Sequence, residues 1–84
     1  MSLHSIRVKA VEPLDDMILS VEFENGVKKK YDVKQLIPKF GVYDDLKYND
    51  LFKRVRVDCG GYAVAWTDEI DISEYELWEN GEKI

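Results

Sequence analysis

The sequence predicts an α+β fold: a small antiparallel sheet built from hairpins, with about five or six short strands and two or three short helices, one of them C-terminal. Three observations carry that prediction. Arg54 to Trp66, RVRVDCGGYAVAW, alternates apolar and polar residues on either side of a glycine pair, the pattern of a β-hairpin. Residues 17–33 repeat the pattern around Glu24-Asn25-Gly26. Near the end, Ser73 and Glu76 stand at capping-box spacing, and Ile72 and Leu77 at hydrophobic-staple spacing, so a helix starts there.

Taken in order, residues 1–5 read as a loose leader ahead of a folded core over residues 6–80, in a single domain spanning 1–84. Residues 6–12 form a half-buried strand with Ile6, Val8 and Ala10 inward and Arg7 and Lys9 outward. Pro13 to Asp16 turn the chain. Residues 17–23 form the second strand, with Met17, Leu19, Val21 and Phe23 on the core face, and residues 27–33 form the third. A three-residue loop with Gly26 left-handed pairs Phe23 with Val27, Leu19 with Tyr31, Met17 with Val33 and Glu22 with Lys28. Lys29 then falls on the apolar face, which places it at a sheet edge with its amine reaching for water. The run Lys28-Lys29-Lys30 is split across two faces by strand alternation and reads as a guarded edge.

Asp32 and Gln35 cap a short helix that buries Leu36 and Ile37 and ends at Pro38. Residues 38–48 form a loop anchored by Phe40, Val42, Tyr43 and Leu46. Asn49 or Asp50 caps a second short helix with Leu51 and Phe52. In the hairpin that follows, a two-residue turn at Gly60-Gly61 pairs Cys59 with Tyr62, Val57 with Val64 and Val55 with Trp66 on the core face. Ala63 and Ala65 indicate that the other face is also closely approached. Ile70 and Ile72 add a short strand, and the last helix carries Tyr75 and Trp78 on one side before stopping at Gly81.

Composition narrows the function. With 45% hydrophobic and 35% charged residues the chain is globular, and it has no apolar run near the ~20 residues of a membrane helix and no signal-peptide pattern. A lone cysteine permits no internal disulfide and fits a reducing cytoplasm. The net charge of −5 is concentrated at one end. Residues 1–66 hold 11 Lys/Arg against 10 Asp/Glu, while residues 67–84 hold seven acids against Lys83 alone. An acidic end disfavours nucleic acid as main partner and suits a small basic protein. The bland reading is a charged, solvated helix end.

No arrangement argues for catalysis. Cys59 has no histidine beyond His4 to activate it, and the hairpin register points it inward as a buried, inert thiol. One Cys and one His make no zinc pattern, Gly60-Gly61 lacks the strand-to-helix context of a phosphate loop, and Asp68, Glu69 and Asp71 lack the glycine turn of a calcium site. The expectation is a non-enzyme without metal or cofactor.

Four stretches in one order carry a family resemblance: VKAVEPLDDMILSVEFENGVKKKYDV, LFKRVRVD, GGYAVAW and IDIS. Over about residues 6–77 the chain resembles the small bacterial family known as domain of unknown function 2442. It departs from that family's pattern at Cys59, where proline is frequent, and at Thr67-Asp68-Glu69, where Pro-Asn-Gly is frequent. The resemblance implies a compact α+β unit with antiparallel strands, found beside a small, often basic companion in an arrangement similar to toxin–antitoxin pairs. It brings no catalytic residues.

The leading expectation is therefore a non-catalytic, antitoxin-like protein-interaction module, with Glu74, Glu76, Glu79, Trp78 and Trp66 as partner-binding candidates. Trp66 reads as a core aromatic in the first instance. A nucleic-acid-binding or regulatory domain using Arg7, Lys9, Lys28, Lys30, Arg54 and Arg56 is the first alternative. A small-ligand site around Tyr62, Trp66, Asp68 and Asp71 is the second. A homodimer through strand edges is compatible with each.

Overall fold

Alternation of buried and exposed residues builds the first sheet of the computed structural model, which describes residues 6–84. Leu19, Val21 and Phe23 of β2 (Ile18–Phe23) are fully buried, each stabilising the fold by ~1.5–3 kcal/mol relative to exposure. β3 (Lys28–Asp32) pairs with it antiparallel, Leu19 opposite Tyr31 and Glu22 opposite Lys28, as the three-residue loop predicts. Gly26 has φ of 89° and donates its N–H to Phe23 O at 2.9 Å, while Asn25 Oδ1 accepts from Val27 N at 3.1 Å. The turn is thus set by glycine's access to positive φ and by a side-chain acceptor at asparagine.

β1 (Val8–Pro13) pairs with β2, but its phase differs from the alternation read in the sequence. Val8 lies opposite Phe23 and Ala10 opposite Glu22, so the register slips by one residue at Lys9. This β-bulge turns Ala10 out to solvent and brings Val11 inward. Asp15–Met17 form a tight turn closed by Leu14 N–H donating to Ile18 O at 2.7 Å. Met17 therefore stands outside β2, with φ of 57°, and Val33 likewise lies beyond β3, in the next turn.

The 3-10 turn Val33–Leu36 starts as expected: Asp32 Oδ1 accepts from Lys34 N at 2.9 Å, and Gln35 Nε2 donates to Asp32 O at 2.9 Å. The chain then runs along the core's surface in two further 3-10 segments, Gly41–Lys47 and Leu51–Arg54, which bury Leu46 and Phe52. The second enters through Asp50 in the left-handed region, with no side-chain cap, so neither Asn49 nor Asp50 caps it as predicted.

The glycine-pair hairpin forms a second sheet. β4 (Arg56–Asp58) and β5 (Ala63–Ala65) pair Val57 with Val64, the predicted register. β6 (Asp71–Ser73) adds to the far side of β5. Ala63, Val64 and Ala65 are all buried, so β5 is covered on both faces. The turn itself is wider than predicted. Cys59–Gly61 form a 3-10 turn in which Cys59, Gly60 and Gly61 all have positive φ, and Tyr62 N–H donates to Cys59 O at 3.2 Å. Cys59 is consequently exposed, and so is Tyr62. Both leave the core face that strand register assigned them, because the ladder ends at Asp58 and Ala63.

α1 (Glu74–Asn80) follows from its cap: Ser73 Oγ accepts from Glu76 N at 3.2 Å, and Leu77 is fully buried. β7 (Glu82–Lys83) then pairs with β3 and covers the edge that Lys29 was predicted to occupy. Lys29 instead runs across the Trp78 ring, 4.2 Å from its centroid, and its amine donates to Trp78 O. Among the described residues the seven strands thus form an antiparallel sheet of order β1-β2-β3-β7 and one of order β4-β5-β6, with one α-helix. β1 lies against β4 and β5, and residues from both sheets share one apolar cluster. Residues 1–5, with the predicted leader and His4, lie outside the described residues.

Candidate partner-binding surface

Of the five residues singled out for partner binding, the structure leaves two at the surface only in part and buries two. Trp66 is 4% exposed. Its Nε1 donates to Phe52 O at 2.9 Å and its ring stacks on Phe52 with centroids 5.8 Å apart, so it is a core residue. Glu74 is buried as well. Trp78 is half-buried, meeting Phe23 edge-on at 4.9 Å. Glu76 is half-buried and accepts the Tyr31 hydroxyl at 2.7 Å. Burial raises the Tyr31 phenol well above its ordinary value of 10.0, and the Glu76 hydrogen bond and charge push the same way. Glu79 is exposed. The face of α1 that reaches the core is therefore its tethered side, and Glu79 is the candidate that stands in solvent.

The acidic end is carried further by the loop between β5 and β6. Thr67 Oγ1 accepts from Glu69 N and Ile70 N, each at 3.1 Å, and Trp66 N–H donates to Ile70 O at 2.9 Å. These bonds bury Ile70 and hold Asp68, Glu69 and Asp71 outward.

Beside this loop lies an exposed apolar surface that includes Phe40 and Val42, both expected as core anchors. Phe40 is 56% exposed, Val42 39% and Tyr48 60%. The cause is helical period. A 3-10 helix has three residues per turn, so Tyr43 and Leu46 share the inward side and Val42 and Asp45 the outward side. Phe40 precedes the helix in extended conformation, its ring 6.2 Å from that of Tyr43. Only Tyr43 and Leu46 anchor the segment. The Tyr43 hydroxyl donates to Asp71 O at 2.6 Å, tying the 40–48 segment to the acidic loop. Burial, then the charges of Asp71 and Glu76, raise the Tyr43 phenol. Between the two segments opens a hollow of about 250 Å³ lined by Val42, Asp45, Leu51, Thr67, Glu69 and Ile70. It adjoins a second hollow, of about 490 Å³, which shares Asp45 and Leu51 and adds Tyr48, Asn49 and Arg54. A three-residue spacing of Val42 with Asp45 was the signal in the sequence that could have revealed this face.

The alternative constellations are dispersed over several elements. Lys9 stands 4.0 Å from Glu22, Arg56 3.9 Å from Asp58, and the Arg7 guanidinium lies over the Tyr62 ring at 5.4 Å. Lys28 and Lys30 are on β3 of the first sheet, whereas Arg56 is on β4 of the second and Arg54 ends the 3-10 segment before it. Tyr62 precedes β5 and Asp68 follows it, with Trp66 buried between, so that proposed ligand site is spread along a strand. Among the described residues no three His, Cys, Asp or Glu are placed to hold a metal ion, and no helix is long and apolar enough to cross a membrane.

A family model described as "Protein of unknown function (DUF2442)" matches residues 8–83, and the chain belongs to that family. No curated protein and no solved structure matched it.

Proposed function

We propose that this member of the DUF2442 family is a non-catalytic, antitoxin-like interaction module of the cytoplasm that binds a small basic protein. The observation that supports this reading is that the acidic stretch over residues 67–84 presents most of its carboxylates to solvent. Asp68 and Glu69 on the β5–β6 loop, Asp71 at the start of β6, Asp45, which lines the same hollow as Glu69, and Glu79 and Glu82 further along the chain are all exposed. Such a field draws a positively charged protein and repels phosphate backbones. The role assigned to α1 changes accordingly: Glu74 and Glu76 serve the fold, while Glu79 and the β5–β6 loop meet solvent.

The test is a pull-down of the tagged full chain from its native cytoplasm at low and at moderate salt. The expected result is a stoichiometric basic protein, retained at low salt and released as salt rises. A bait that emerges unaccompanied at low salt, or with nucleic acid alone, ends this reading.

A further inference from the structure

We infer that the hollow between the 40–48 segment and the β5–β6 loop is the docking socket of this module, and that it receives an apolar side chain flanked by lysine or arginine on the basic partner. This rests on the interaction-module reading and locates its contact.

Three features converge on the place. Among the described residues, three of the six large hydrophobic side chains that are exposed fall within residues 40–48, namely Phe40, Val42 and Tyr48. Neighbouring exposed apolar groups mark contact surfaces, whereas single scattered ones need no explanation. The socket is lined by the apolar Val42, Leu51 and Ile70 together with Thr67 and the exposed acids Asp45 and Glu69, with Asp68 next in sequence to Glu69. It is also braced. The Tyr43–Asp71 hydrogen bond and the Thr67 turn fix both walls through bonds of 2.6 and 3.1 Å, so little ordering is needed on binding.

The occupant follows from charge. A second copy related by a two-fold axis would set these acids against themselves, like facing like. A nucleic acid would bring phosphates to the same carboxylates. A basic protein satisfies the acids with its cations and the apolar lining with an apolar anchor, which is how a few buried side chains dominate an interface.

The experiment compares matched variants of the full chain against the basic protein recovered by the wild type, identified and purified. Phe40→Ser with Val42→Ser removes exposed apolar groups and leaves the melting temperature near that of the wild type. Its affinity is expected to fall about tenfold or more. Asp68→Asn with Glu69→Gln and Glu79→Gln with Glu82→Gln each remove two charges, so the loss of overall field is the same. The first pair is expected to weaken binding several-fold more than the second. A photo-crosslinking residue at position 42 is expected to capture the partner, and one at position 82 is not. If the apolar variant binds like wild type while neutralising Glu79 and Glu82 releases the partner, the socket is refuted and the module reading stands. If no basic protein is recovered, both fall.

Discussion

Gly61 has φ of +98°, and a Cβ there would lie 2.8 Å from both Arg7 Cβ and Val8 O. Glycine is required twice over, once by backbone angle and once because the second hairpin's turn presses on the chain entering β1. Gly60 differs: its φ is +65°, but a Cβ there meets nothing within 4 Å. Gly61→Ala is therefore expected to cost ~2–4 kcal/mol, from left-handed strain plus a clash with backbone. Gly60→Ala should cost only the strain, ~1–2 kcal/mol. Urea unfolding of the two variants checks this, and equal losses would show that Gly61 is not a packing point.

Tyr31 makes the pH prediction at the same scale. Its phenol is held protonated in the fold by burial and by Glu76, well above the ordinary value of 10.0 that applies in the unfolded chain. The folded state thus binds the proton more tightly, so its contribution is fully present below about pH 10 and is lost as pH rises above it. Each such group gives a slope of about 1.4 kcal/mol per pH unit once the unfolded phenol is ionised. Tyr43, raised in the same sense, adds to it. Tyr31→Phe should be less stable at neutral pH by ~1 kcal/mol, through the lost Glu76 bond. It should also lose stability less steeply between pH 10 and 11 than the wild type does. An unchanged alkaline slope would refute the assignment.

Among elements, the sequence was legible where a turn and an alternation specify the same register. Leu19 pairs with Tyr31 because Asn25-Gly26 and the apolar phase agree, and Val57 pairs with Val64 for the same reason. The helix start at Ser73 was legible because capping is local chemistry. Its side chain accepts from Glu76 N at 3.2 Å, so Ser73→Ala is expected to cost ~1 kcal/mol by urea unfolding and Ser73→Asp to be nearly neutral. Elements set by tertiary contact were not legible. The bulge at Lys9 leaves no mark in a seven-residue alternation, and Glu82–Lys83 has no pattern until β3 offers it an edge. The candidate surface was missed through period. Read as a loop, residues 38–48 anchor Phe40, Val42, Tyr43 and Leu46 to the core; as a 3-10 helix, residues 41–47 send Val42 out. Cys59 was assigned by strand parity, which ceases at Asp58 where the turn begins.

At the scale of the whole molecule, two sheets that share no ladder depend on one core. Val8, Phe23 and Tyr31 of the first sheet and Val64, Trp66 and Ile72 near or within the second belong to the same buried cluster. Neither sheet has a second core to fall back on, and an 84-residue chain buries too little surface to stabilise its halves separately. Gly61 against Val8, and β1 against β4 and β5, make the contact between them direct. Opening one sheet therefore exposes the inner face of the other. The expected consequence is a single cooperative unit, with a urea m-value of about 1 kcal/mol/M and one transition. Native-state hydrogen exchange gives the sharper test. The amides of Val21 in β2 and Val64 in β5 should exchange only by global unfolding, with equal free energies. A lower opening free energy at Val64 would mean that the second sheet detaches on its own. The acidic loop and the 40–48 segment, both braced against that sheet and the core, would then be presented by a mobile part of the molecule, and the socket would lose its pre-formed walls.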